Sequence, residues 1–236
     1  MTTLTPHPVT AARGLPENSL PASLLDRLPP TAPPAPWATR CEVLTWWHRP
    51  RRDTADLLPL ALRGRGVAVV AWALVRYAET PVGPYDEVAV AVIPRGRGPA
   101  HIPFICVDSL PSIVGGRVNW LLPKSLARFD RSDGGRSVEV RPVEPAEPAW
   151  WLRVNGRPVG PPVPLPMPVR FSVAQADGSD ADTHRFLGRS RGVGRYTRVA
   201  VEGVADGPLG SLLRTGRHHG MSLTHGRFIA GPLMPG

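Results

Sequence analysis

The sequence predicts an α+β fold that is mostly antiparallel β. Its 236 residues include 30 prolines and 24 glycines, which interrupt the chain so often that few segments can form a helix longer than about three turns. Between these interruptions lie apolar or alternating runs such as GVAVVAWALVRYAE at 66–79 and DEVAVAVIP at 86–94, a pattern typical of strands. A chain of this length can bury a proper core in one domain. We therefore predict one strand-rich domain with a few short helices.

The N-terminal segment differs in composition from the rest of the chain. Residues 1–36 are rich in Pro, Thr, Ala and Leu, and PPTAPPAP at 29–36 can neither sustain a helix nor donate hydrogen bonds along a strand. We predict that residues 1–36 form an extended arm and that residues 37–236 form the single domain.

The first part of the domain predicts a strand, a short helix and a hairpin. TRCEVLTWWHR at 39–49 has the composition of a strand. In DTADLLPLAL at 53–62, Asp53 is a capping residue before an apolar run, which predicts a short helix. The runs at 66–79 and 86–94 are joined by TPVGPY, whose Pro and Gly suit a turn, so these two strands should form an antiparallel hairpin.

The following segments surround the single lysine of the chain. AHIPFICVD at 100–108 predicts a strand, and SLPSIVGGRVN at 109–119 predicts a helix that begins at the cap Ser109 and is terminated by its glycines. LLPKSLARF at 121–129 follows as a strand edge or a turn, which places Lys124 just after the glycine-terminated helix. The remaining predicted strands are SVEVRPV (137–143), AWWLRVNG (149–156), VRFSVAQ (169–175), YTRVAVEGV (196–204) and RFIAGPL (227–233).

The charge of the chain lacks the distribution of a nucleic-acid-binding surface. The net charge is +9 and the pI is near 11.0, but the arginines are spread along the chain and do not alternate with aromatic residues as a base-stacking surface would. We therefore predict no nucleic-acid partner. A basic surface of this kind also attracts small anionic substrates.

Cysteine usage and hydropathy favour a cytoplasmic protein. Cys41 and Cys106 are too few for a disulfide framework and lack metal-ligand spacing. The N-terminus has no cationic start followed by an apolar run, and no apolar stretch approaches the ~20 residues that a membrane span requires. We predict a cytoplasmic protein with no membrane segment, no metal and no cofactor.

Lys124 is the single lysine among 28 cationic Lys and Arg residues. An arginine stays protonated in proteins, whereas an amine can lose its proton when buried and then attack a carbonyl. A lone lysine is also commonly a solvated surface charge, so its neighbours decide between the two interpretations. Trp120 and Leu122 give Lys124 an apolar setting that lowers an amine pKa, and Arg117 is a candidate second cation that lowers it further. Glu87, just after the hairpin turn, is a candidate proton carrier.

These residues resemble the motifs of the acetoacetate decarboxylase-like family. The resemblance covers about residues 37–233, and its specific motifs lie between 83 and 126. The matching positions around the lysine are Val107, Asp108, Pro111, Ile113, Gly116, Arg117, Pro123 and Lys124, and those of the upstream turn are Gly83, Tyr85 and Glu87.

The resemblance implies a fold and a site. The fold is a central β-barrel or cone with flanking sheets and the lysine inside it. Lys124 is implied to be the Schiff-base lysine and Glu87 an active-site acid, and Arg40 is the nearest candidate for an arginine that contacts the substrate carboxylate. The candidate substrate-binding residues are Arg40, Arg117, Tyr85 and Trp120.

Three positions depart from the family pattern. In the decarboxylases a second lysine follows the Schiff-base lysine and lowers its pKa, whereas Ser125 stands at that position here. The family's Gly-Arg-Glu ends in Val118 in this chain. A further acid expected upstream of the hairpin turn falls near Ala71 or Trp72, so one of the two family acids is missing.

We predict a Schiff-base-forming lyase that acts through Lys124 on a β-keto acid or a related keto-acid substrate. An iminium accepts the electron pair left by departing carbon dioxide, and decarboxylation is slightly favoured over aldolase, dehydratase or cyclase chemistry through the same iminium. Ser125 and the missing acid motivate a further alternative, a relative that binds a carbonyl ligand without turnover. A Lys124 pKa far below that of an ordinary lysine would favour the enzyme. Homo-oligomers are usual in the family, which makes the arm at 1–36 a candidate for contact with a neighbouring subunit.

Overall fold

The computed structural model describes residues 7–50, 54–96, 98–144, 148–165, 169–177 and 183–235. The strands are β1 (Trp37–His48), β2 (Val67–Glu79), β3 (Tyr85–Pro94), β4 (His101–Val107), β5 (Lys124–Ser132), β6 (Ser137–Pro142), β7 (Trp150–Pro158), β8 (Val163–Pro164), β9 (Val169–Ala176), β10 (Thr183–Ala205), β11 (Gly216–Ala230) and β12 (Met234–Pro235). The helices are short: α1 (Ala22–Leu25), α2 (Leu60–Arg63), α3 (Leu110–Trp120) and α4 (Leu209–Leu212).

The described strands form one sheet whose pairing closes into a ring. Strands β1 to β7 pair in chain order, β7 pairs with β10, β10 with β11, and β11 with β1. These pairs are antiparallel except β4 with β5, which is parallel. The largest cluster of buried side chains draws on β1 to β7 and β10 and includes Trp46, Trp72 and Phe104. The predicted α+β class with mostly antiparallel strands is therefore confirmed.

Strands β1 to β4 form a shared wall between this main core and a cavity. Successive side chains of a strand point to opposite faces of the sheet, so Val70 and Leu74 of β2 belong to the main core while Ala71 and Ala73 line the cavity. Strand β9, the first half of β10 and the second half of β11 cover the cavity. A bridge between Ala100 and Val173 joins this cover back to the start of β4.

Helix α3 is followed by β5, whose first residue is Lys124. The helix connects the parallel strands β4 and β5, in which Lys124 lies opposite Ile105. Its N-terminus has the predicted cap, since the Ser109 Oγ accepts a hydrogen bond from the backbone N–H of Ser112 at 3.3 Å.

The predicted end of this helix at its glycines is wrong. The helix continues through Gly115 and Gly116 and ends at Trp120, and the φ of 55° at the cap residue Leu121 lies in the left-handed region. The two glycines have a packing reason instead, because β-carbons there would lie 2.4 Å from the Trp37 ring and 2.5 Å from Lys124 Cδ. Glycine at these positions lets the helix approach both side chains closely.

The helix predicted at 53–62 is two separate turns. A 3-10 turn spans Ala55–Leu57 and α2 spans Leu60–Arg63, because Pro59 between them has no N–H to continue the helical hydrogen bonds. Asp53, the predicted cap, lies outside the described residues. The antiparallel hairpin of β2 and β3 is confirmed. No helix in the described ranges is long and apolar enough to cross a membrane.

The N-terminal segment packs on its own chain. Asn18 is buried, and its side-chain amide donates to the Ile105 carbonyl oxygen at 2.9 Å and accepts from the Ile105 N–H at 3.2 Å. Arg117 on α3 donates to the carbonyl oxygens of Val9, Ala12 and Asn18. These hydrogen bonds tie the N-terminal segment to β4 and to α3, the two elements that precede Lys124. The division of the chain at residue 36 stays a prediction.

Replacing Arg117 with alanine should destabilise the fold strongly. The change leaves carbonyl oxygens of the N-terminal segment, and that of Lys124, which accepts a hydrogen bond from Arg117 at 2.6 Å, without their donor. An unsatisfied buried polar group costs about 1–3 kcal/mol, so the free energy of unfolding in urea should fall by about 3 kcal/mol or more. The control Arg128→Ala removes an exposed arginine that pairs with Asp130 and should cost about 1 kcal/mol or less. Equal losses in the two variants would contradict this role.

Candidate active site

The cavity beside the shared wall is large and mostly apolar. It has a volume of about 540 Å³, which is within the range typical of small-molecule sites. Most of its described lining is aliphatic or aromatic, and the charged side chains in that lining are Lys124 and Glu87. The two lie together at one end of the cavity.

Lys124 is only 3% exposed and is held by a polar cluster. Its Nζ donates to Glu87 Oε2 at 2.8 Å, to Ser112 Oγ at 3.0 Å and to the Tyr85 hydroxyl at 3.4 Å. The other Glu87 oxygen accepts a hydrogen bond from the Tyr77 hydroxyl at 3.3 Å. Each N–H of the ammonium group therefore has an acceptor.

Three elements besides β5 bring the polar cluster together. Tyr77 on β2 and Tyr85 on β3 lie directly opposite each other, and Glu87 follows two residues later on the same face of β3. Ser112 lies in the first turn of α3. The lysine stem reaches these groups across β4, past the glycine of α3 that leaves it room.

The charge state of Lys124 differs from the sequence prediction of a lowered pKa. Burial by itself lowers the pKa of Lys124, but the charge of Glu87 and the Tyr85 hydroxyl together raise it by more, so the pKa lies above the ordinary lysine value. Arg117 does not act as a second cation beside the amine, because its guanidinium donates to backbone carbonyls. The resting lysine is an ammonium ion paired with a carboxylate.

The other titratable groups near the pair stay protonated at neutral pH. Burial, reinforced by the charge of Glu87, raises the pKa of Tyr77 well above its ordinary value. Burial also raises the pKa of Tyr85, although Lys124 lowers it in part. Burial and the Glu87 charge raise the pKa of the cavity-lining Cys41 thiol to about 11. Cys41 is therefore not a competing thiolate, and the amine of Lys124 is the candidate nucleophile of the cavity.

Four of the six predicted site residues lie at the cavity. Lys124, Glu87 and Tyr85 meet in the polar cluster, and Trp120 lines the cavity beside them. The Trp120 Nε1 donates to the carbonyl oxygen of Gly231 at 2.7 Å. Trp120 therefore contributes its apolar ring to the cavity wall, while its polar atom is satisfied elsewhere.

The two predicted arginines do not line the cavity. The Arg117 guanidinium is buried and donates to the backbone carbonyl oxygens of Lys124 and of the N-terminal segment, and Arg117 is not among the described lining residues. Arg40 is exposed and pairs with Glu79 at 3.2 Å, since it points away from the sheet face on which Thr39 and Cys41 line the cavity. Neither arginine is positioned to hold a substrate carboxylate at Lys124.

Sequence reasoning misses Ser112 and Tyr77. Tyr77 had a detectable signal, because the predicted hairpin places it directly opposite Tyr85. Ser112 follows the cap by three residues and had no such signal. At the position of the missing family acid, Ala71 lines the cavity, so Glu87 is the one carboxylate in the described lining. No three His, Cys, Asp or Glu side chains in the described part of the chain meet as a potential metal site.

Fold and site together define a strand-rich protein with a small-molecule cavity built around a buried lysine. The family model for acetoacetate decarboxylase (ADC) matches residues 21–141, a range that includes the whole polar cluster. The chain belongs to the acetoacetate decarboxylase family. The resemblance recognised in the sequence is thereby confirmed. A comparison with curated protein sequences gives no match.

Several solved structures share the fold. An acetoacetate decarboxylase-like enzyme from Sphingomonas wittichii RW1 has a TM-score of 0.58 at 16% identity, over 86% of this chain and 95% of that chain. Acetoacetate decarboxylase from Legionella pneumophila has a TM-score of 0.53 at 15% identity, over 100% and 98%. MppR, an enduracididine biosynthesis enzyme complexed with pyruvate, has a TM-score of 0.54 at 15% identity, over 86% and 91%.

Replacing Glu87 with glutamine should lower the Lys124 pKa below that of an ordinary lysine. Burial then acts on the amine without the opposing carboxylate. NMR titration of protein labelled with ¹³C at lysine Cε measures the shift, and the single lysine gives one signal. The control Glu79→Gln removes an exposed carboxylate that pairs with Arg40 and should leave the titration unchanged. A native Lys124 that titrates well below an ordinary lysine would contradict the ion pair.

The raised pKa also predicts how stability depends on pH. Because Lys124 binds its proton more tightly in the folded chain than in the unfolded chain, the ion pair stabilises the fold below the unfolded pKa. This contribution is lost as the pH rises through the raised folded pKa. In the folded Glu87→Gln variant the pKa of Lys124 is lowered. The contribution of Lys124 to the free energy of unfolding should therefore rise with pH in this variant. Urea unfolding across the alkaline range compares the two slopes, and parallel slopes would contradict the assignment.

Proposed function

We propose that this chain is a Schiff-base-forming lyase in which the Lys124 amine attacks the carbonyl carbon of a small molecule. The observation that carries the proposal is the Lys124–Glu87 pair, 2.8 Å apart and buried at one end of a cavity of about 540 Å³. A carboxylate at that distance can take the ammonium proton, and the cavity has room for a carbonyl compound beside the amine. Membership of the acetoacetate decarboxylase family supports the same chemistry.

The first step is a proton transfer, because the resting amine is protonated. Glu87 accepts one ammonium proton along the 2.8 Å hydrogen bond, which converts the ion pair into a neutral pair. An apolar substrate that displaces water favours the neutral pair, since desolvation penalises both charges. Glu87 thus has the activating role that a second lysine has in the family. Ser125 cannot take that role, because its Oγ lies 3.0 Å from Asn18 Nδ2, away from the amine.

The second step forms the iminium and releases water. The neutral Lys124 nitrogen bonds to the carbonyl carbon, and the electron pair of the C=O bond moves to the oxygen. One proton from the nitrogen and one from the Glu87 carboxyl group convert that oxygen into departing water. The nitrogen lone pair completes the C=N bond, and Glu87 becomes a carboxylate again. Ser112 and Tyr85, at 3.0 and 3.4 Å from Nζ, are hydroxyl groups that can relay the nitrogen proton.

The iminium supports two kinds of reaction. In decarboxylation, which the sequence slightly favours, it accepts the electron pair of the bond to departing carbon dioxide. In aldol, dehydration or cyclisation chemistry, Glu87 removes a proton from the carbon next to the iminium and later returns it. The polar cluster offers that proton carrier, and no arginine among the described lining residues is available for a substrate carboxylate. These observations favour proton-transfer chemistry.

A protein that binds a carbonyl ligand without turnover is the second candidate. The raised pKa of Lys124 favours it, since a binding site has no need of a neutral amine. The two candidates use the same cavity and differ in whether Lys124 becomes covalently attached to the ligand. Trapping of the attached species therefore separates them.

We also propose that the protein is cytoplasmic and that it forms homo-oligomers. The first proposal is supported by cysteine usage and by the hydropathy of the chain, and the second by the family resemblance alone. Light scattering coupled to size-exclusion chromatography measures the second property directly.

Borohydride reduction with a carbonyl substrate should attach that substrate to Lys124. The probes are acetoacetate, pyruvate and a panel of other carbonyl compounds, with intact-protein mass as the readout and peptide mapping to exclude the N-terminal amine. Lys124→Arg keeps the positive charge without a nucleophilic amine and should lose the adduct. Glu87→Gln should slow adduct formation about 100-fold or more, because the proton carrier is gone. If no carbonyl compound gives an adduct, the enzyme proposal is wrong and the binding protein stands.

A further inference from the structure

We propose that the substrate of the Lys124 site is a neutral aldehyde or ketone with a long apolar chain, and not a keto acid. This inference rests on the proposed function, because it assumes that Lys124 forms a Schiff base. Three features of the cavity carry it: the side chains that create its space, its extent along the sheet, and its charges.

The space in the cavity comes from alanines on the β2–β3 hairpin. On the opposite face of this hairpin, valine, leucine and tryptophan side chains fill the main core. Toward the cavity, the two tyrosines of the polar cluster are followed by one further pair and then by two successive cross-strand pairs of alanines. From the polar cluster outward, the cavity-facing pairs are Tyr77–Tyr85, Val75–Glu87, Ala73–Ala89 and Ala71–Ala91.

The cavity continues well past the polar cluster. From Glu87 the lining residues on β3 continue to Ile93, and a strand of that length spans about 20 Å. The lining also includes Ile102 and Val169. A keto acid as small as acetoacetate, held at Lys124, would leave most of the about 540 Å³ unfilled. An apolar chain that extends over the alanines would fill it and bury its own surface.

The described lining of the cavity offers no unpaired cation to a carboxylate. Lys124 and Glu87, the charged side chains of the described lining, neutralise each other. After Schiff-base formation the positive iminium still faces the Glu87 carboxylate, so the net charge of the pair stays zero. A substrate carboxylate would add an uncompensated negative charge in an apolar enclosure, which is strongly unfavourable. Arg40, the candidate for binding it, pairs with Glu79, and Arg117 donates to backbone carbonyls.

The test compares four probes that vary length and charge separately. They are acetoacetate, methyl acetoacetate, 3-oxodecanoate and methyl 3-oxodecanoate, each reduced with borohydride on the native protein and on Lys124→Arg. At limiting concentration, methyl 3-oxodecanoate should give about tenfold more lysine adduct than either short probe or the long acid. More adduct with acetoacetate, or equal adduct with the long acid and its ester, would overturn this inference while leaving the Schiff base intact. No lysine adduct with any probe would instead overturn the proposed function.

A cavity-filling variant tests where the chain lies. Ala91→Phe places a ring beyond the polar cluster, so the ratio of long-ester to short-ester adduct should fall about tenfold. The control Ala78→Phe alters an exposed alanine on the other face of β2 and should keep the native ratio. Urea unfolding verifies that both variants fold. If Ala91→Phe does not fold, Ala71→Leu provides the same test. An unchanged ratio in the folded cavity variant would overturn the inference.

Discussion

Lys124 and Glu87 form an ion pair away from water, and this pair constrains the elements around it. Removing each charge from water costs several kcal/mol, so the pair needs hydrogen-bond partners in fixed places. Ser112 of α3, Tyr85 of β3 and Tyr77 of β2 supply them. A shift of β2 or β3 by one residue would turn these partners to the other sheet face and leave a buried charge without them.

The shared wall of β1 to β4 serves both a packed core and an open cavity. Alternation along β2 puts Val70 and Leu74 into the core and Ala71 and Ala73 into the cavity. Because the packed face buries large apolar side chains, it supplies more hydrophobic stabilisation than the alanines that face the cavity. Arg117 also supports the wall, since it ties the N-terminal segment to the backbone of Lys124.

The site was partly predictable from the sequence. Lys124 stood out as the single lysine, and Glu87 and Tyr85 through the turn motif, and the fold brings these three together. The interpretation of Arg117 as a second cation was wrong, because a guanidinium beside the motif can equally well satisfy carbonyls of a segment distant in sequence. Arg40 lies one residue from the cavity-lining Thr39, yet alternation along β1 turns it outward.

Residue type and local spacing determined what the sequence by itself could establish: the strand pattern, the β2–β3 hairpin and the presence of a single lysine amine. Only the tertiary structure decided the protonation state of that amine, because a pKa depends on groups that long-range strand pairing brings near it. The presence of the cavity was also decided by the tertiary structure. Alanines in a strand are compatible with a tight or an open face, and here β9, β10 and β11 cover them at a distance that leaves room for a ligand.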